Sequence, residues 1–349
     1  MPANDYAIVV GITDYPNLES LKGPERDADA FYEWLLDAHG ADVPMGNATR
    51  IVTSLYGPGP GITKPTADLI EEAFLNLVRL GRRNGGKLGR RLYIFFSGHG
   101  ISPNLDLDDA ALLMANAARD TPGLHIPGKV YVDAIALEGL FEEIVLFMDC
   151  CRDDYERVSS RQPPWVPAKS ARGGDTKRVL GFATRWGRKA REKPIRDGQL
   201  LKPEQAADTD YRGVFTTALM EALKGHAAGE NSKVTVARVS GYIHNRVKDF
   251  LEPDEFAKPE FHYGTDDLVL AEVQPQAPKP KQKSVTIHIQ AAGTVDLIGP
   301  DAQVKKSFAP PGGTFSLDLD PGLYLLVEQG TSRQRGFQVM GEGEIDVEF

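Results

Sequence analysis

Two kinds of apolar pattern alternate along most of the chain. The first is a short unbroken run: Tyr6–Val10 (YAIVV), Leu92–Phe96 (LYIFF), Ile144–Met148 (IVLFM) and Val179–Ala183 (VLGFA). Such runs predict strands buried on both faces. Arg50–Ser54 and Leu268–Leu270 are shorter strand candidates. The second pattern is helical. Ala28, Phe31, Trp34 and Leu35 recur at helical spacing within Glu25–His39. Pro65–Leu80 reads as a helix with proline near its start; Val132–Phe141, Val214–Leu223 and Val236–Phe250 also read as helices. The alternation predicts an α/β fold with a mostly parallel sheet covered on both faces.

The pattern then changes. Gln274–Lys283 (QPQAPKPKQK) is Pro-rich and polar, which predicts a stiff, exposed linker. Beyond it come SVTIHIQ, TVDLIG, TFSLDLD, LYLLVEQ, GFQVM and EIDVEF, separated by Gly and Pro. Short alternating runs of this kind predict a small all-β sandwich. The expected division is residues 1–272, a linker over 273–283, and a β domain over 284–349. That last domain carries no histidine–acid pair and no glycine-rich loop, so a binding or docking role is expected of it.

Composition narrows the function classes. A net charge of -9 makes nucleic acid an unexpected partner. No run of eighteen apolar residues is present, so no membrane span is expected. The start, MPANDYAIVVG, lacks a basic n-region and a cleavable apolar stretch, so no secretion signal is read. The only cysteines are the adjacent pair Cys150 and Cys151. They cannot staple distant segments, which points to a reducing, cytoplasmic setting, and they form no zinc pattern.

Chemistry concentrates at two strand ends. Leu92–Phe96 runs into Ser97-Gly98-His99-Gly100, and Ile144–Met148 into Asp149-Cys150-Cys151-Arg152. In open α/β sheets the carboxyl ends of strands collect function. A histidine beside a thiol promotes the nucleophilic thiolate. Strand alternation puts Cys150 in the apolar row of Ile144, Leu146 and Met148, and Cys151 on the side of Asp149. Cys151 is therefore the expected nucleophile and Cys150 a buried hydrophobe. An acid beside a thiol makes sense where it binds a basic substrate side chain; a strand-end turn cap is the alternative. Between Arg157 and Lys193 stand eleven Lys or Arg against two acids, which reads as a long loop, either functional or merely solvated.

Taken together, five ordered segments resemble caspase-type cysteine peptidases, close to the bacterial metacaspase-like (orthocaspase-type) branch. They are YAIVVGITDYPNLESLKGPERDADAFYEWL, YIFFSGHG, VLFMDCCRD, GFATRWGRKARE and GVFTTALMEAL, within residues 5 to 272. The spacing of 52 positions from His99 to Cys151 is similar to the caspase pattern. The resemblance implies a three-layer α/β/α sandwich on a six-stranded sheet. It implies His99 as base, Cys151 as nucleophile, and the N–H groups of Gly100 and Cys151 as oxyanion donors. Asp27 and Asp149 match the family acids that bind Lys or Arg before the cleaved bond, so cleavage after Arg, then Lys, is expected. An exposed helix acid is the alternative for Asp27.

Arg161, Lys169, Arg172, Lys177 and Arg178 become candidate self-cleavage points. Asp106, Asp108 and Asp109 are expected to form a solvated acidic loop, with calcium binding, known in some relatives, as the alternative; no cofactor is expected. Protein substrates, a regulatory protein or an upstream activating protease are the implied partners, and bacterial defence or cell death the implied setting. The Cys-Arg-Asp sequence departs from the family's usual residues after the nucleophile. A catalytically quiet scaffold that binds partners through the β domain is the competing function.

Overall fold

The computed structural model describes residues 4–57, 63–103, 109–155, 158–168, 175–229, 231–252, 255, 257–265, 267–273, 283–300, 303–319, 322–339 and 345–349. The chain forms two compact units, residues 1–274 and 275–349. The expected linker lies, except at its two ends, outside the described residues.

The first unit opens with β1 (Tyr6–Gly11), α1 (Pro24–Leu36), β2 (Ala48–Val52), α2 (Ala67–Arg83) and β3 (Gly89–Gly98). Three short strands follow, β4 (Gly100–Pro103), β5 (Ala111–Leu113) and β6 (His125–Pro127). Next come α3 (Gly128–Glu138), β7 (Phe141–Cys150), β8 (Asp153–Tyr155) and β9 (Lys177–Phe182). The remainder is β10 (Glu192–Arg196), β11 (Gln199–Leu200), β12 (Tyr211–Gly213), α4 (Val214–Glu221), β13 (Lys233–Thr235), α5 (Val236–Arg246), β14 (Glu260–Tyr263) and β15 (Val269–Glu272).

The central sheet has the order β14-β9-β7-β3-β1-β2. Five strands are parallel and β14 runs antiparallel to β9. Period-2 alternation splits each central strand between two cores. Ile8, Val10, Ile94, Phe96, Leu146 and Met148 pack under α2 and α3. Ala7, Val9, Tyr93, Phe95, Val145 and Phe147 pack under α1, α4 and α5. The result is the expected three-layer α/β/α sandwich. Phe31 of α1 anchors the second core, stacked on Phe95 at 4.8 Å and set edge-on to Phe147 at 6.0 Å.

Three expectations change. The sixth sheet strand is Glu260–Tyr263, whereas the expected last strand at Leu268–Leu270 belongs to β15, which pairs with β13 in a separate ladder. The helix expected over Val132–Phe141 starts at Gly128 and stops at Glu138, because Gly139 turns left-handed with φ 67°, and Phe141 already opens β7. The described part of the basic stretch between Cys151 and β9 is not freely solvated. Residues 158–168 lie against α2 and α3: Trp165 is buried against Phe74 and Tyr131, and the Ala168 N–H donates to Glu138.

The second unit contains β16 (Lys283–Gln290), β17 (Val295–Ile298), β18 (Val304–Phe308), β19 (Gly312–Leu319), β20 (Gly322–Glu328), β21 (Gln334–Val339) and β22 (Ile345–Glu348). They form sheets ordered β19-β16-β22 and β18-β17-β20-β21. Alternate residues of both, such as Val285, Ile287, Leu297 and Leu326, meet in one apolar core. This is the small β sandwich that the alternation indicated. Among the described residues no helix is long and apolar enough to cross a membrane.

Phe31→Ala removes a fully buried ring from the second core of the sandwich. It is expected to lower stability by about 3–5 kcal/mol, read from chemical denaturation of the full chain. A loss below about 1 kcal/mol would show that the core does not depend on this ring.

Candidate active site

The site begins with a register. Parallel pairing of β3 with β7 sets Ser97 opposite Asp149 and Gly98 opposite Cys150. The next residues on each strand, His99 and Cys151, therefore leave the sheet level with one another, about 5 Å apart in strand spacing. On the other side of β3 lies β1, and the chain folds the segment after β1 over His99. The His99 N–H donates to Tyr15 Oη at 3.0 Å, and the two rings meet edge to face at 4.7 Å. His99 Nε2 lies 2.6 Å from the Glu19 carbonyl oxygen. A carbonyl only accepts, so Nε2 carries the proton and Nδ1 holds the basic lone pair.

Cys151 is partly exposed, and its Sγ contacts the Ala190 carbonyl at 3.9 Å. Burial, then the charge of Asp153, push its thiol up to about 11. The resting group at neutral pH is the thiol, so its proton has to leave as attack occurs. No hydrogen bond joins His99 and Cys151 among the described residues; they line one 90 Å³ cleft together.

The same cleft holds Asp27, Asp149 and Glu192. Asp27 is buried in α1 and its Oδ2 accepts the Gly213 N–H at 2.9 Å. The exposed-acid alternative therefore does not hold. Asp149 is buried at the end of β7 and its Oδ2 accepts from Thr216 twice, from N–H at 3.0 Å and from Oγ1 at 2.7 Å. It does cap backbone, but the first turn of α4 and not its own strand's exit. Burial pushes Asp149 up to about 6. Burial and the neighbouring Asp149 charge push Asp27 well above the usual carboxylate range. Among the described residues no cation lies within salt-bridge distance of either acid. Buried, unpaired carboxylates are costly, and a cation placed between them removes that cost.

Residues 4–284 match the caspase domain of C14 peptidases. The chain belongs to the caspase-domain family. It is similar to a probable protease of a Desulfuromonadales bacterium, at 27% identity over 239 residues. That match covers 63% of this chain and 26% of the relative, so the chain spans about a quarter of the curated protein it resembles. A solved structure, caspase-1 from Spodoptera frugiperda, aligns with a TM-score of 0.47 at 15% identity, over 79% of this chain and 92% of that one.

Within this caspase domain the two cysteines separate as the alternation required. Cys150 is buried in the first core, while Cys151 faces the cleft. Gly100 sits in β4, packed tightly against the cysteine loop. A Cβ there would come within 2.5 Å of the Cys151 carbonyl and 2.7 Å of Cys150 Sγ. Gly98 has φ 155°, and a Cβ there would reach Tyr15 Oη at 2.5 Å. Gly100 lets the histidine and cysteine loops close on one another, and Gly98 lets the segment after β1 close over the histidine. The departure at Arg152 is also explained. Its guanidinium is buried, pairs with Glu260 at 2.6 Å and lies over the Phe182 ring, which ties the cysteine loop to β14 and β9.

The candidate self-cleavage points divide. Lys177 and Arg178 lie inside β9, paired to β7, and Arg178 bonds Asp133. Arg161 pairs with Glu71 at 2.7 Å and its N–H donates to His125 Nε2 at 3.2 Å. These three bonds are held in structure; Lys169 and Arg172 lie outside the described residues. Asp109 is buried, and its Oδ1 accepts the Ala110 and Lys129 N–H groups at 2.7 and 2.8 Å. It is therefore no part of a solvated acidic loop, and Asp106 and Asp108 lie outside the described residues.

Sequence reasoning missed Tyr15, the Glu19 carbonyl, Glu192 and the β12–α4 junction. Glu192 accepts the Lys22 and Gly23 N–H groups and so closes the cleft from the β10 side.

A carboxyl whose folded pKa is raised is stabilised in its protonated form. That stability is fully present below the unfolded value of 3.8 and is lost as pH rises through about 6. Asp149→Asn is therefore expected to melt at a higher temperature than the wild type at pH 7.5, by about 3 kcal/mol of added stability. The gap should close as pH falls below 6. A variant that melts lower than the wild type at pH 7.5 would contradict the electrostatics described.

Proposed function

We propose that the chain is a cysteine endopeptidase that cleaves proteins after Arg, and after Lys less well. The observation that carries this reading is the pair of buried carboxylates, Asp27 and Asp149, in the same cleft as Cys151 and His99, with no cation within salt-bridge distance of either acid among the described residues, although Arg191 also lines the cleft. Arginine presents a planar fork that two carboxylates can share, whereas lysine offers a single point charge.

In this mechanism a basic side chain enters beside Asp27 and Asp149 and brings its own residue's carbonyl carbon to Cys151. His99 Nδ1 takes the Sγ proton as the sulfur attacks. The Glu19 carbonyl holds the ring by its Nε2–H and stabilises the imidazolium. The N–H groups of Gly100 and Cys151 are the proposed donors to the developing oxyanion. His99 then gives its proton to the departing amine, leaving an acyl-enzyme on Cys151. Water, deprotonated by the same imidazole, releases the second product. Lys169 and Arg172 are the proposed self-cleavage positions. A signalling role in bacterial defence or cell death fits such a narrow specificity.

Fluorogenic peptides ending in Arg, Lys or Asp test the reading with the full chain. Arg is expected to exceed Lys, with Asp peptides not turned over. Cys151→Ala is expected to lose about 10^3-fold or more. Turnover of Arg peptides should fall as pH drops through about 6, because protonation of Asp149 removes the charge that holds the substrate. Absence of Arg and Lys turnover would overturn the proposal, and preference for Asp would reverse it.

A further inference from the structure

The segment GVFTTAL holds both pocket acids from behind. Gly213 ends β12, and Val214 opens α4. The first N–H groups of a helix have no partner inside it. Here one of them, on Thr216, is taken by Asp149 Oδ2, and the Thr216 hydroxyl donates to the same oxygen. One turn earlier, the Gly213 N–H donates to Asp27 Oδ2. Three donors from four consecutive residues thus hold one oxygen of each acid. These bonds offset part of the cost of placing two acids side by side in a buried place, since each bond to the ionised form favours it. No side chain fits at position 213. A Cβ there would collide with the Asp149 carboxylate and come within 2.8 Å of Asp27 Oδ2.

We propose that Thr216 is a positioning residue for specificity: its hydroxyl aims and ionises Asp149, and through Asp149 sets the preference for a cationic side chain. This rests on the reading of the cleft as a basic-residue pocket. Thr216 is itself buried. The charged and titratable groups around Asp149 are Asp27 from α1, Glu192 from β10, Cys150 and Cys151 on its own strand end, and His99 and Arg191, which line the same cleft; Arg212 from β12 acts on Asp27. Arg212 is held away, its Nη1 donating to the Arg26 carbonyl at 2.5 Å. The Thr216 hydroxyl is thus the side-chain donor that Asp149 has among the described residues.

Thr216→Val keeps the backbone donor and the volume but removes the hydroxyl; Thr216→Ser restores it; Thr216→Ala repeats the deletion if valine is not accommodated. The Asp149 titration is followed in the full chain by carbon NMR of labelled aspartate carboxyls, assigned with Asp149→Asn. Thr216→Val is expected to raise the Asp149 midpoint by about one unit, and to carry the acid limb of kcat/KM for Arg peptides up with it. Selectivity for Arg over an uncharged side chain should drop about tenfold. Alkylation of Cys151 by iodoacetamide should change less than about twofold, and serine should return every value. An unmoved midpoint in Thr216→Val overturns the proposal, whatever the enzyme cleaves. A moved midpoint with unchanged selectivity overturns its specificity half. A wild type that cleaves no Arg or Lys peptide sinks the pocket reading itself, while the midpoint still decides the Thr216–Asp149 link.

Discussion

The pairing of β3 with β7 is the constraint on which the site depends. Side chains in a strand alternate, so a one-residue slip would send Cys151 into the core and bring Cys150 to the cleft. The register is fixed because both faces of these strands are buried. Leu92, Ile94 and Phe96 must meet one layer of helices while Tyr93 and Phe95 meet the other. Hydrophobic burial thereby delivers two polar residues, His99 and Cys151, to the same level at the sheet's edge. Gly100 is the local consequence, since a side chain there would hold the two loops apart, while one at Gly98 would push Tyr15 away from the histidine.

The second theme is charge kept where it is expensive. Asp27 and Asp149 come from elements far apart in sequence, α1 and β7, and meet beneath Gly213. Backbone N–H groups and one hydroxyl support them; no buried cation neutralises them among the described residues. Structural acids elsewhere in the same unit are treated differently. Glu71, Glu138 and Glu143 each have an arginine within 2.7 Å. The contrast separates acids paired with arginine inside the fold from two acids held by neutral donors alone; the proposed pocket role would account for the difference.

Much of this was legible from residue pattern, and the exceptions have physical causes. Unbroken apolar runs located the four central strands because each is buried on both sides. Alternation alone assigned Cys150 to the core. The sixth strand, Glu260–Tyr263, was missed because an edge strand is only half buried and EFHY carries no run. The docked segment around Trp165 was misread because proline and charge obscure a single buried ring. In the site, side chains such as His99, Cys151, Asp27 and Asp149 announce their chemistry. The Glu19 carbonyl that orients His99 does not, since every residue carries the same group. Thr216 lay within a motif already quoted, yet only the fold shows that its hydroxyl faces Asp149.

The central claim is that Cys151 attacks a bond chosen by the two acids. Labelling with a peptidyl arginyl chloromethyl ketone, located by mass spectrometry, tests both parts at once. The account predicts a single adduct on Cys151, formed far faster than with the matching aspartyl reagent, and slowed sharply in Asp149→Asn. An adduct on Cys150, or equal labelling by the arginyl and aspartyl reagents, would contradict it.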